Sequence, residues 1–182
     1  MGATKFPVLD KDFTIKMLGV CKDDEERGLI TVLDLTGMHV SVVSGLDYIA
    51  VSEKTKKKHH IFQAPLDSSN LLKQGDRYII RWKRPKTQKT LERYIPKDKV
   101  ELITAFLNMK KKSRRWYFTM VKSIGERAGY EGISPMTFRH NQCIKALESG
   151  SSIWEVPHIM GCTLNVAARN YSKKRELEQL RE

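Results

Sequence analysis

Two short runs of β-forming residues, Tyr78-Ile79-Ile80-Arg81-Trp82 and Leu91 to Ile95, sit in the middle of a chain whose other apolar patterning is helical. Aromatic and β-branched residues favour strands, and Pro85 with a polar run between the two predicts an antiparallel hairpin with a basic turn. Helical spacing precedes the hairpin: Phe13, Met17 and Leu18, then Leu29, Ile30, Leu33 and Leu35 behind the acidic stretch Asp23–Glu26, which suits a helix N-terminus. Thr36-Gly37 marks a turn, and Val40 to Leu46 reads as a further helical run. Residues 53–75, with a lysine run, Pro65 and several Ser, Asn and Asp residues, read as an exposed loop or hairpin. Helical spacing returns at Leu102, Ile103, Phe106 and Leu107, over Phe118 to Ala128, and from Met136 to Leu147 behind Ser134-Pro135. A small β element enclosed by helices predicts a mainly α fold with a small antiparallel β-sheet, of the α+β class.

The 182 residues suit one domain. Lys+Arg 33 against Asp+Glu 21 gives a net charge of +12 and a pI near 9.7, with mean hydropathy −0.47. Such a field attracts polyanions, which makes nucleic acid the first expectation for a partner and an acidic membrane surface the second. The excess is local. Residues 81–99 hold eight Lys/Arg against two acidic residues, among them Arg81, Lys83, Arg84 and Lys89. A second run comprises Lys54, Lys56, Lys57 and Lys58. The third, Lys110, Lys111, Lys112, Arg114 and Arg115, follows the helix of residues 102–107 and exceeds what capping a helix C-terminus needs. These three clusters are the expected phosphate contacts. Cys21, Cys143 and Cys162 are odd in number and lack CxxC spacing, against a disulfide framework or a zinc knuckle. His59-His60 lie inside the lysine run, so no metal site is expected. No apolar run reaches membrane-spanning length and Met1 to Val8 lacks a signal-peptide layout, so the expectation is a soluble intracellular protein of the cytoplasm or nucleoid.

A basic protein points to a phosphate substrate. Metal-free phosphodiester chemistry needs a nucleophile, cationic donors around the phosphoryl oxygens and an acid for the leaving oxygen. The last third of the chain contains candidates in Ile133-Ser-Pro-Met-Thr-Phe-Arg139-His140, Leu147-Glu-Ser-Gly-Ser-Ser-Ile153, Ile159-Met-Gly-Cys162 and Arg169-Asn-Tyr171. This series resembles the C-terminal signature of the tyrosine recombinases, the phage and archaeal integrases and Xer recombinases, and the step 171 − 162 = 9 keeps the family's register. Upstream, Leu35-Thr36-Gly37-Met38-His39-Val40-Ser41 resembles the family's Thr-Gly-Leu-Arg box. Arg84-Pro85-Lys86-Thr87, leading to Glu92-Arg93-Tyr94-Ile95-Pro96, resembles its β-hairpin lysine element.

The resemblance covers about residues 8–175 and implies a tyrosine recombinase catalytic-domain fold over 1–172, a C-terminal tail helix over 173–182 and no N-terminal core-binding domain. It assigns Tyr171 as the nucleophile that forms a 3′-phosphotyrosine, Arg139 as the second phosphate-binding arginine and Lys86 as the general acid. Lys83 and Lys89 are neighbours that take the lysine's part in another turn register. Double-stranded DNA is the implied partner, without metal or nucleotide cofactor. Self-association on DNA is implied through the tail, with Leu177 and Leu180 as its apolar contacts. Site-specific recombination or integration of a mobile genetic element is the implied activity.

Four positions depart from the family. The first arginine is His39, the glutamate of its box falls on Val42, the first histidine is Met136, and the second His/Trp position is Cys162. Histidine has fewer donors than arginine's planar fork, and Met136 cannot exchange a proton. His158, four residues before Cys162, is the candidate substitute imidazole on spacing, against the plainer reading of a partly exposed histidine. Two outcomes follow: cleavage and rejoining of DNA through Tyr171, or a catalytically silent relative that keeps the fold to bind DNA in an architectural or regulatory role.

Overall fold

The structure is a computed structural model that describes residues 9–51, 55–84, 89–160 and 164. Lys54, Lys86, Cys162, Tyr171 and the tail lie outside the described residues. The helices are α1 (Phe13–Gly19), α2 (Asp24–Thr36), α3 (Val40–Ser44), α4 (Val100–Asn108), α5 (Arg114–Arg127), α6 (Pro135–Glu148) and α7 (Val156–Met160). The strands are β1 (Leu46–Val51), β2 (Lys58–Gln63), β3 (Leu71–Gln74), β4 (Arg77–Lys83) and β5 (Thr90–Ile95). Mainly helical with small antiparallel sheets, the fold is of the expected class.

Helix α2 is the axis of the core. Asp23 caps it by accepting from Glu26 N at 2.8 Å, and Asp24, Glu25 and Glu26 fill its positive first turn. Its Leu29, Ile30, Val32 and Leu33 are fully buried among Phe13 and Met17 of α1, Ile103 and Phe106 of α4, Val121 and Ile124 of α5 and Phe138 of α6. Gly28 is the point where α4 comes closest, because a Cβ there would lie 2.4 Å from Phe106 Cβ. Arg127 of α5 donates to Glu26 Oε2 and to Val20 O, and so ties the last turn of α5 to the start of α2.

The β residues form two sheets among the described residues. In the three-stranded sheet, β4 lies between β3 and β5, with Ile80 opposite Arg93 and Trp82 opposite Leu91. Ile80, Trp82 and Ile95 face the helical core. The expected hairpin is therefore present, and β3 adds a strand to it. Residues 71–74 fall in the stretch read as a loop or hairpin because their strand is short, only partly buried and set among turn-forming residues. The run Val40 to Leu46, read as one helix, divides instead: α3 stops at Ser44, Gly45 takes φ 76°, and Leu46 begins β1. Strands β1 and β2 make a separate antiparallel ribbon, with Lys56 and Lys57 just before β2 and Lys58 as its first residue.

The third basic cluster is also arranged differently from its expected place on one helix end. Helix α4 stops at Asn108, Lys110–Lys112 form a connection, and Ser113 caps α5 by accepting from Trp116 N at 3.2 Å. Arg114 and Arg115 thus open a helix rather than close one. Pro157 lies at the second position of α7, where the missing N–H costs nothing.

Candidate functional site

The polar centre of the molecule is Arg139. It sits on the inner face of α6, which opens with the capping pair Ser134 and Thr137 and with Pro135 in its first turn. Only 7% of its surface is exposed. One guanidinium nitrogen donates to Gly37 O at 3.0 Å and the other donates to Met160 O. Gly37 is two residues before His39, and Met160 is two residues before Cys162. The side chain therefore joins the turn after α2 to two successive elements about a hundred residues further on, the inner face of α6 and Met160 of α7.

Each partner is built for this contact. Gly37 ends α2 in the left-handed conformation, φ 57°, with its N–H on Leu33 O at 2.9 Å. A Cβ at Gly37 would also stand 2.5 Å from Met160 Cε, so the residue is fixed both by its φ and by the space Met160 fills. His39, partly buried, is the N-cap residue of α3 and its carbonyl accepts from Val42 N at 2.8 Å. Met136 lies one turn before Arg139 on α6 and is partly buried. His140, only 8% exposed, follows Arg139 directly; burial, then the adjacent arginine charge, pushes its pKa down to about 4. His158 is exposed on α7, whose buried side chains are Val156 and Met160.

A second arginine reaches the same helix end. Arg93 of β5 donates to Ile159 O, and Met160 Sδ lies 3.9 Å from the same guanidinium. Burial works against its charge and lowers its pKa. Two arginines thus donate to the carbonyls of Ile159 and Met160, the last residues described in α7. In the sequence Arg93 stands out only as part of the lysine element. The signal that marks it is the two-residue alternation of β5, which puts Arg93 on the inward face with Leu91 and Ile95.

The lysine element is paired up to its turn. Arg84 N donates to Lys89 O at 2.9 Å, enclosing residues 85–88, which contain Lys86. Lys83 and Lys89 are exposed and Arg84 is partly buried, while Arg81 is held by Glu92 at 2.5 Å. The ribbon is attached beside this turn through Gln63 Nε2, which donates to Lys83 O at 3.1 Å. A cleft of about 500 Å³ lies between ribbon and sheet, walled by Val42, Phe62, Leu66 and Trp82. Lys56, Lys57 and Lys58 are exposed, as are Lys110, Lys112, Arg114 and Arg115. Lys111 differs: its ammonium donates to Phe106 O, Leu107 O and Met109 O and stands 4.6 Å over the Phe106 ring, so it caps α4.

This fold is that of the tyrosine recombinase catalytic domain. The crystal structure of XerA recombinase aligns with 99% of this chain and 67% of its own, at TM-score 0.68 and 16% identity. The XerH site-specific recombinase bound to palindromic difH substrate, a post-cleavage complex, aligns with 97% of this chain and 53% of its own, at TM-score 0.68 and 17% identity. The integrase from mycobacterium phage Brujita aligns over 98% of this chain and 58% of its own, at TM-score 0.58 and 15% identity. This chain spans from about half to two thirds of the length of these proteins. No protein-family model and no curated protein matches the sequence. Among the described residues, no helix is long and apolar enough to cross a membrane.

Proposed function

We propose that the chain binds duplex DNA and cuts and rejoins it by the tyrosine recombinase route. Tyr171 attacks the scissile phosphate to give a 3′-phosphotyrosine, Lys86 protonates the departing 5′-oxygen, and Arg139 donates to the phosphoryl oxygens. The observation that carries this reading is the junction at Arg139, where one buried guanidinium holds the turn before His39 and the segment before Cys162. Those are the segments that the family signature assigns to one phosphate. The substitutions at His39, Met136 and Cys162 leave fewer donors there, and losing one preorganised donor slows such a step about 10²–10³-fold, so slow cleavage is expected.

The duplex is gripped by phosphate contacts from exposed cations on three surfaces: Lys56 and Lys57, Lys83 and Lys89 beside the lysine turn, and Lys110, Lys112, Arg114 and Arg115 before and at the start of α5. Binding then falls linearly with the logarithm of salt concentration, with a slope set by the phosphates neutralised. The tail, with Leu177 and Leu180, docks on a neighbouring copy on DNA, and the activity serves recombination or integration of a mobile element.

The test is a nicked suicide duplex, read on a denaturing gel. The wild type is expected to form a covalent adduct that Tyr171→Phe does not form. An adduct that persists in Tyr171→Phe rejects the nucleophile. Salt-sensitive binding with no adduct over a wide range of sequences rejects cleavage and leaves the fold as a DNA-binding scaffold.

A further inference from the structure

The ribbon presents a largely exposed sheet face, with Phe62 at its edge also bordering the cleft beside the three-stranded sheet. Directly paired residues share a face, so Asp47 with Phe62, Ile49 with His60, and Val51 with Lys58 all point one way. On the other face Leu46, Ala50, Ile61 and Gln63 are partly buried and Tyr48 is 39% exposed. On the outer face Ile49 is 64% exposed, Val51 55% and Phe62 64%. Scattered exposed apolar residues need no explanation, but three on one short ribbon form a contiguous patch. The charges on this face are ordered. Asp47 is in the first row and Lys58 in the last, with the apolar residues between and beside them.

That order is self-complementary. A two-fold axis lying in the face and crossing the strands at the Ile49–His60 row stacks two ribbons antiparallel. Ile49 and His60 then each meet their own copies, each His60 held by the Asp47 of its own ribbon, and the Asp47 and Phe62 row of each ribbon lies over the Val51 and Lys58 row of the other. Each Lys58 ammonium gains the other copy's Phe62 ring below it and its Asp47 carboxylate diagonally across, in an isologous contact where every off-axis interaction occurs twice. A face meant for DNA would be basic throughout, and Asp47 on this one opposes the phosphate backbone. The Asp47 carboxylate already holds His60 Nε2 at 2.6 Å within its own ribbon, on an exposed pair that leaves its second oxygen for the partner.

We propose that the outer face of the β1–β2 ribbon is a homodimer interface, occupied by the same face of a second copy. It is independent of the tail and of any cleavage. With strands about 20 Å long, the contact is at the small end of specific interfaces, so association is weak and is read at chain concentrations of about 0.1–1 mM.

Sedimentation equilibrium of the full chain at about physiological salt tests it. The wild type is expected to show a mass that rises toward the dimer with concentration, and Ile49→Glu is expected to stay monomeric with its melting temperature unchanged. Asp47→Lys alone and Lys58→Asp alone are each expected to weaken association about tenfold, through like charges brought together. Mixed in equal amounts, these two variants are expected to associate as tightly as the wild type, because each lysine of the first chain then lies diagonally across from an aspartate of the second. Association through the tail would ignore these charges and would overturn the proposal. A wild type that stays monomeric, singles that do not recover on mixing, or an Ile49→Glu variant whose only defect is weaker duplex binding would overturn it too; the last result would give the face to DNA.

Discussion

The helical core around α2 and the small cluster around α7 hold their parts of the molecule in different ways. Around α2, a large set of fully buried side chains from α1, α4, α5, α6 and the sheet does the holding, and polar ties such as Arg127 to Glu26 are added to it. Around α7, the buried residues are Cys143, Val156 and Met160, with Leu147, Ile153 and Ile159 partly buried beside them. There Arg93 and Arg139 supply donors for the carbonyls of Ile159 and Met160. The candidate site straddles the two regions. Gly37 and Arg139 belong to the strong side, while the segment leading to Cys162 leaves from the weak one. A site so divided has a fixed half that holds the arginine and a half whose position is set by a few polar contacts.

Paired arginine deletions separate the two regions. Arg127→Met leaves the Glu26 carboxylate, 10% exposed, with only the Lys22 N–H at 2.8 Å as a donor among the described residues and is expected to destabilise the whole domain by about 2–4 kcal/mol, read as a shift in the denaturant midpoint. Arg93→Met removes a donor from Ile159 O and is expected to cost about 1–3 kcal/mol, but locally. Amide hydrogen exchange should quicken in α7 while the core amides of α2 keep their protection. A global loss in Arg93→Met, or a merely local one in Arg127→Met, would break the comparison.

Gly37→Ala acts on the seam. It forces a left-handed residue to carry a side chain and drives its Cβ into Met160, for about 2–5 kcal/mol in all. Both Arg139 contacts should loosen, with faster exchange in α7 as the accompanying sign. The smallest effect is a pH dependence. His140 has a folded pKa of about 4 against an ordinary value of 6.5. Between those values the unfolded chain binds the proton and the folded chain does not, so stability is full above about pH 6.5 and is lost as pH falls toward about 4. His140→Gln should flatten the fall, which is on the order of 1–3 kcal/mol. Asp10 and Asp67, held below the usual carboxylate range by hydrogen bonds from Lys16 and Ser69 respectively, contribute their losses at lower pH.

Much of the strong region was legible in the sequence. Asp23 and Gly37 mark both ends of α2, Ser134-Pro135 opens α6, and the β-formers of 78–82 and 91–95 pair as expected. What escaped has physical reasons. The run Val40–Leu46 holds β-branched residues that suit helix or strand, and only the backbone at Gly45 decides where one becomes the other. A four-residue strand such as β3 leaves little periodicity to read. Cations are harder still, since charge alone does not say whether a group faces water, caps a helix or bridges two segments. Lys111 reads like its neighbours in sequence and caps α4 in the fold; Arg93 reads like one more cation of the hairpin and holds α7. The meeting of Gly37 with Arg139 and Met160 brings together residues more than a hundred positions apart, with the family signature as the one sequence-level pointer to it.

The central claim is that the His39 turn and Arg139 serve one phosphate. Restoring the missing donor tests it most directly: His39→Arg is combined with wild-type Arg139 and with Arg139→Ala, and adduct formation on the nicked duplex is timed. The account predicts that His39→Arg speeds adduct formation by at least about tenfold, and that Arg139→Ala abolishes the gain. No gain, or a gain that survives the loss of Arg139, would contradict it.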